Sequence, residues 1–188
     1  MHERREMLYR SGMWDIRLEQ EGEADAVEAL VDRGFGPGRF AKTAYRLREG
    51  VAPDRRLSLV AIGKDGALLG SVRFWPVAIG GRRSLLLGPL AVEPALRGKG
   101  IGIHLMQQGI ERARILGYDS VILVGDEPYY ARVGFAALKP GQIRLPGPVD
   151  GNRILGLALK DGALDSLSGD VKRAQIDINV SAQSAPAG

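Results

Sequence analysis

The sequence predicts one mixed α/β domain, of the α+β kind, on three observations. Three apolar-rich segments, 57–63, 67–78 and 84–92, are separated only by Lys64-Asp65-Gly66 and Gly80-Gly81. Turns this tight join antiparallel strands, and Asp-Gly is a strong hairpin signal. Residues 100–116 carry Ile103, Met106, Ile110 and Ala113 at helical spacing, the apolar stripe of a helix laid on a sheet. Ser120-Val121-Ile122-Leu123-Val124 is an unbroken apolar run, the pattern of a strand covered on both faces.

The other elements follow in chain order. Trp14-Asp15-Ile16-Arg17-Leu18-Glu19 alternates apolar and polar and reads as a first strand. Residues 22–35 place Val27, Leu30 and Val31 on one helical face, with Glu21, Glu23 and Asp25 near the start, where the helix dipole favours negative charge. After the Gly34-Phe35-Gly36-Pro37-Gly38 break, 39–48 is predicted as a short helix ended by Gly50. Gly117 closes the 100–116 helix, Pro128 starts another short one, and Gly134-Phe135 turns into a further strand. Residues 154–159 form the last clear strand, and 175–180, with Ile176, Ile178 and Val180 alternating, suit an edge strand or an exchanged arm. Ser181-Ala182-Gln183-Ser184-Ala185-Pro186-Ala187-Gly188 has the small, polar composition of a disordered end. This divides the chain into a domain at 14–160 and a C-terminal extension at 161–188 that is partly disordered or an edge strand.

Composition narrows the function. With 45% apolar and 26% charged residues, a chain of this size has material for one core. The net charge of +4 comes from 26 basic and 22 acidic residues spread along the chain. It suits a polyanionic small ligand and lacks the clustered face of a nucleic-acid binder. Cysteine is absent and the two histidines, His2 and His104, lie far apart. Disulfides, thiolate chemistry and a metal site are therefore not expected. The charged start is not a secretory signal, and no apolar stretch is long enough to cross a bilayer. The expected setting is the cytoplasm, away from membranes.

The chemistry is concentrated in Leu87-Gly88-Pro89-Leu90-Ala91-Val92-Glu93-Pro94-Ala95-Leu96-Arg97-Gly98-Lys99-Gly100-Ile101-Gly102. A buried strand runs into a glycine-rich loop that opens an amphipathic helix. The first amides of a helix lack intrahelical partners and carry partial positive charge. Glycines let an anion approach the backbone, and Arg97 and Lys99 add full charges. A pyrophosphate is the natural occupant. A Walker loop needs Gly-Lys followed by Ser or Thr, but Gly98-Lys99 is followed by Gly100. A dinucleotide fold needs Gly-x-Gly-x-x-Gly within parallel βαβ units, and here antiparallel hairpins precede the helix.

Arg97-Gly98-Lys99-Gly100-Ile101-Gly102 resembles the Arg/Gln-x-x-Gly-x-Gly/Ala signature of the GNAT N-acetyltransferases, and Tyr130-Ala131-Arg132-Val133-Gly134-Phe135 resembles their later Tyr-x-x-x-Gly-Phe pattern. Within the family, Leu87-Gly88-Pro89-Leu90-Ala91-Val92 and Gly125-Asp126-Glu127-Pro128-Tyr129-Tyr130 look like a group of predicted bacterial acetyltransferases. The resemblance implies a GNAT fold: a mixed central sheet of about six to seven strands, helices on both faces, splayed between the fourth and fifth strands. It implies acetyl-CoA as co-substrate, with no metal. The amides of Gly98, Lys99, Gly100, Ile101 and Gly102 and the Arg97 region would hold the pyrophosphate. The backbone of Leu90, Ala91 and Val92 would pair with the pantetheine arm, and Arg132 would face the nucleotide end.

For catalysis, Tyr130 is the candidate general acid for the departing thiolate, since a phenol is protonated at neutral pH. Tyr129 beside it is the packing residue, or the two roles are reversed. The family's strand glutamate falls here on Leu86, so the base is sought at Glu93, the weak candidate, or at Asp126 or Glu127, or is supplied by water. The acceptor is an amine of a small molecule or a protein, and its groove is expected around 35–45 and 138–150. Many relatives dimerise, which makes a homodimer one expectation. A non-catalytic acyl-CoA-binding or sensor module is the alternative, motivated by Leu86, and a nucleic-acid binder ranks behind both.

Overall fold

The computed structural model describes residues 7–10, 12–36, 38 and 42–174. Among the described residues ten strands form one sheet: β1 (Met7–Arg10), β2 (Trp14–Leu18), β3 (Leu59–Gly63), β4 (Leu68–Ile79), β5 (Arg82–Val92), β6 (Ser120–Val124), β7 (Ala136–Ala137), β8 (Ile143–Arg144), β9 (Ile154–Ala158) and β10 (Gly169–Arg173). The helices are α1 (Ala24–Phe35), α2 (Thr43–Arg46), α3 (Ile101–Ile115) and α4 (Glu127–Tyr130). The main path runs β1-β2-β3-β4-β5-β6-β9-β7, with β10 paired to β4 and β8. Neighbours are antiparallel except β5–β6 and β8–β10.

The meander and the central helix match the expectation closely. Gly66, at φ +84°, and Gly80 and Gly81, at +54° and +82°, make its two turns, conformations that glycine adopts without cost. The sheet has more strands than the six or seven expected. β10 was not foreseen because Gly169-Asp170-Val171-Lys172-Arg173 buries one apolar side chain, Val171. Its pairing is through the backbone, to the edge of β4 beyond the end of β3: Val171 opposite Ile79 and Arg173 opposite Val77. β7 is the strand expected after Gly134-Phe135, whereas β1 and the two-residue β8 were not foreseen, β8 being too short for any periodicity. Of the helix expected at 39–48, only Thr43–Arg46 is helical among the described residues. The strand or arm expected at 175–180 and the tail at 181–188 lie outside them.

Helices cover both faces, and side-chain parity along the strands shows which face each covers. Leu59, Ala61, Val72, Phe74, Leu85 and Leu87 pack with Ile101, Leu105, Met106 and Ile110 of α3. Val60 and Ala91 pack with Val27, Leu30 and Val31 of α1. Trp75, Val77, Ile79, Leu86 and Ile122 pack with Leu47, just after α2. Burying each of these large side chains stabilises the fold by roughly 1.5–3 kcal/mol.

One irregularity in β5 shapes everything that follows. Val72 of β4 faces Leu90 and Phe74 faces Leu87, so three steps on β5 match two on β4. The extra residue is a bulge at Gly88-Pro89. Parity inverts across it: Leu85 and Leu87 face α3, whereas beyond the bulge Leu90 and Val92 face α3 and Ala91 faces α1.

Beside the sheet, Asp54 is a carboxylate 1% exposed. It accepts bonds from the Arg56 backbone N–H (3.0 Å), Arg56 Nε (2.9 Å), Arg56 Nη2 (2.7 Å) and the Tyr118 hydroxyl (3.0 Å). Arg112 of α3 donates to the Arg56 carbonyl at 2.9 Å, which ties the helix to this turn. Burial pulls the Asp54 pKa upward, but the bonds from Arg56 and Tyr118 outweigh it and hold the carboxylate below its ordinary range. A carboxylate with a depressed folded pKa stabilises above its unfolded pKa of about 3.9 and loses that stabilisation as pH falls through the folded value. Asp54→Asn should therefore cost about 1.5–3 kcal/mol near neutrality. The gap from the wild type in chemical denaturation should stay level from about pH 5 to 8 and shrink below about pH 4.

Candidate active site

The loop between β5 and α3 is built as the glycine pattern requires. Pro94–Leu96 forms one 3-10 turn. Gly98 and Gly100 then take left-handed φ values of +79° and +92°, and Gly100 caps α3. The first backbone bond into the helix runs from His104 N to the Gly100 carbonyl at 3.0 Å. The amides of Gly100, Ile101, Gly102 and Ile103 thus have no partner within the helix and face its N-terminal opening. A β-carbon at Gly102 would collide with the Tyr129 hydroxyl; glycine there lets Tyr129 lie against the first turn.

Next to this opening the sheet parts. β5 and β6 pair only at Leu85–Val121 and Leu86–Ile122. Beyond that, 87–92 of β5 has β4 on one edge and, among the described residues, no strand on the other, because β6 continues with β9. Strand backbone points alternate N–H and C=O groups to each side, so half of those on 87–92 face the gap. Trp75 Nε1 donates to the Gly88 carbonyl at 2.6 Å and fixes the bulge at its mouth.

A cleft of about 350 Å³ occupies this wedge, lined by Leu90, Ala91, Val92, Arg97, Gly98, Gly100, Ile101, Gly102, Tyr130 and Arg132, among others. The structure therefore brings together these ten residues singled out in the sequence, and Tyr129 with them. It does not bring in Lys99 or the base candidates Glu93, Asp126 and Glu127. Lys99 is exposed and does not line the cleft, and its amide bonds the Leu96 carbonyl at 3.4 Å. Glu93 lines no cleft either, and Arg33 of α1 holds its carboxylate at 3.0 Å. The other carboxylates near the site are also engaged: Asp126 with Arg153 at 3.2 Å, and Glu127 with the Ala137 amide at 2.9 Å. Leu86 is fully buried among apolar neighbours.

Tyr130 ends α4, which begins just past β6. A β-carbon at Gly125 would collide with the Tyr130 ring, so this glycine, overlooked in the sequence, lets the ring pack against the end of β6. The only hint was its place between the apolar run and Asp126-Glu127-Pro128. Tyr129 and Phe135 meet the ring edge-on, at 5.1 and 6.2 Å. Burial pushes the Tyr130 phenol up to about 12, with smaller upward contributions from Tyr129 and Asp126, against Arg153 and Arg48. Burial also raises Tyr129.

A second cleft, of about 260 Å³, opens on the other side of Tyr130. Phe35, Leu90 and Tyr130 line both clefts. Its remaining walls include 42–45 and Arg48, the β5 bulge, and Pro148, Val149, Asp150 and Arg153. Thr43 donates to the Pro148 carbonyl and Arg46 to the Pro146 carbonyl, at 2.9 Å for the latter. These bonds clamp α2 to the 146–148 loop, two segments about a hundred residues apart. Tyr45, Arg48 and Arg153 were not singled out, because nothing local in the sequence marks a wall that only tertiary folding assembles. Among the described residues, no three His, Cys, Asp or Glu side chains gather as metal ligands, and no helix is long and apolar enough to cross a membrane.

Comparisons with known proteins agree with this geometry. The model of the acetyltransferase (GNAT) family matches residues 24–136. The protein named uncharacterized N-acetyltransferase YhbS of Escherichia coli is 34% identical over 161 residues, 84% of this chain and 94% of the relative. A crystal structure of YhbS from E. coli in complex with CoA superposes with a TM-score of 0.75 at 30% identity, covering 88% of this chain and 92% of that one. A GNAT family acetyltransferase from Brucella melitensis, in complex with acetyl-CoA, gives 0.64 at 30% identity over 86% and 96%.

Proposed function

The chain belongs to the acetyltransferase (GNAT) family, and we propose that it transfers the acetyl group of acetyl-CoA directly to a primary amine within a ternary complex. One observation carries this reading: two clefts, one against the open amides of α3 and one against the β5 bulge, meet at Tyr130 and Leu90. CoA and acetyl-CoA in the two related crystal structures support acetyl-CoA as the co-substrate.

The residues fit the coenzyme. The amides of Gly100, Ile101, Gly102 and Ile103 suit a pyrophosphate, with Arg97 at the rim and Arg132 towards the nucleotide end. The free edge of Leu90, Ala91 and Val92 suits the amide groups of a pantetheine arm laid alongside it as a strand would be. Acetyl-CoA supplies an acyl group activated as a thioester. An ammonium acceptor first releases a proton to solvent: among the described residues no carboxylate lines the first cleft, and the one lining the second, Asp150, is held by the Asn152 backbone amide. The amine nitrogen then forms the new N–C bond as the C–S bond breaks. The Tyr130 proton goes to sulfur, and the second amine proton restores the phenol through water. The net release is one proton per turnover.

A second reading, a non-catalytic acyl-CoA-binding module, draws support from Leu86 and from the engaged states of Glu93, Asp126 and Glu127. Calorimetric titration with acetyl-CoA, followed by release of free thiol with a panel of amines, separates the two. Binding with amine-dependent thiol release is the expected result. Binding without release to any amine favours the module, and absence of binding overturns both.

A further inference from the structure

Resting on the acetyltransferase reading, we propose that the acceptor is a small amine that also carries an oxyanion, a carboxylate or a phosphate-like group, and that Arg48 receives that oxyanion. Among the described residues, the charged side chains lining the second cleft are Lys42, Arg48, Arg153 and one carboxylate, Asp150. That carboxylate accepts the Asn152 amide at 3.0 Å and caps the 3-10 turn Gly151–Arg153, while Arg153 is shared with Asp126. A purely cationic acceptor would enter against this excess of positive charge, whereas an acceptor bearing an anion would offset it.

Arg48 is the cation best placed to act. Its guanidinium lies over the Tyr45 ring at 4.6 Å and near Trp75 at 5.9 Å. It also lies against the β5 bulge, since a β-carbon on Gly88 would sit 2.9 Å from Nη2. Trp75 holds that same bulge through its bond to the Gly88 carbonyl. The charge is thus fixed beside the point where the two clefts join. A guanidinium over an aromatic face presents its planar fork of N–H donors, the geometry that binds a carboxylate or phosphate two bonds at a time. The cleft volume of about 260 Å³ is roughly nine times the share of one water molecule in the liquid. That suits a compact acceptor, with amine and oxyanion a few bonds apart.

The test is a matched acceptor series at saturating acetyl-CoA: glycine, β-alanine and 4-aminobutyrate, the alkylamines of equal length, 2-aminoethylphosphonate, and a diamine. The expected result is a kcat/KM at least about tenfold higher for the anionic amines than for their neutral counterparts. The carboxylate and phosphonate arms tell which oxyanion is preferred. Arg48→Met should abolish the preference by raising KM for the anionic amines, and Arg48→Lys should restore part of it. Unchanged acetyl-CoA affinity and melting temperature would show that the variants remain folded. Neutral amines or diamines used as well as the anionic ones by the wild type would overturn the proposal and leave the acetyltransferase reading intact. So would a preference that survives Arg48→Met. Coenzyme binding with no transfer to any amine would instead overturn the acetyltransferase reading, and this inference with it.

Discussion

Tyr130→Phe is expected to lower kcat for acetyl transfer by about 10²–10⁴-fold, the range for loss of a positioned general acid, with little change in acetyl-CoA affinity. The variant keeps the ring that packs on Gly125, Tyr129 and Phe135, so the fold and the first cleft should survive. What is lost is one O–H at the junction of the two clefts. Burial raises that phenol to about 12, which keeps it protonated throughout the physiological range. A phenol this weak is a poor acid for a thiolate in water, where thiols titrate near about 8.5. In the wedge, however, burial penalises the thiolate as it penalises the phenolate. The relevant match is between two groups in one dry environment, where the proton stabilises charge as it develops on sulfur. The pH dependence follows with a definite sign. Activity should rise with pH as the acceptor amine loses its proton, and no descending limb should come from Tyr130 below about pH 11. Full activity in Tyr130→Phe would remove Tyr130 from the reaction. Tyr129→Phe should have the smaller effect on kcat, since Tyr129 lines the first cleft alone, with its hydroxyl against Gly102.

The parts of this site that could be read in the sequence are those whose physics is local. Gly98, Gly100 and Gly102 stand where an apolar strand gives way to an amphipathic helix, and at Gly98 and Gly100 the backbone turns left-handed. The meander was legible for the same reason, from Asp65-Gly66 and Gly80-Gly81. Other features depend on partners far along the chain. Glu93 precedes the glycine-rich loop and Lys99 lies within it, yet Arg33, sixty residues before Glu93, draws the Glu93 carboxylate away, and Lys99 faces solvent. The bulge is written as Gly88-Pro89 but becomes visible only against the β4 register. The parting of β5 from β6 leaves no mark on the apolar alternation, because an edge that has lost its hydrogen-bonding neighbour keeps the same faces. It was expected only through the family resemblance. The second cleft joins Arg48, after α2, to Arg153, before β9, and no window of sequence holds both.

The phosphate loop gives the other large expected effect, and α3 carries its own control. Gly100 at the N-terminus and Gly117 just past the C-terminus both take left-handed φ, at +92° and +80°. A β-carbon at Gly117 would meet nothing within 4 Å, and one at Gly100 would only reach His104 at 4.0 Å. Valine at either position is therefore opposed by the backbone conformation rather than by crowding, at a cost of about 1–3 kcal/mol. Both variants should lose similar stability in chemical denaturation. They should differ in coenzyme binding. In Gly117→Val the strain lies at the far end of the helix from the cleft, and the acetyl-CoA affinity should hold. In Gly100→Val the loop relieves strain by turning away from the left-handed region, which redirects the amides of Gly100 to Ile103 that would face the pyrophosphate. Restoring them on binding costs the relieved strain again, so Kd should rise by about 10²-fold. The same loss of affinity in both variants would mean that helix stability alone controls binding. An unchanged Kd in Gly100→Val would mean that these amides do not hold the coenzyme, and the first cleft would need another occupant.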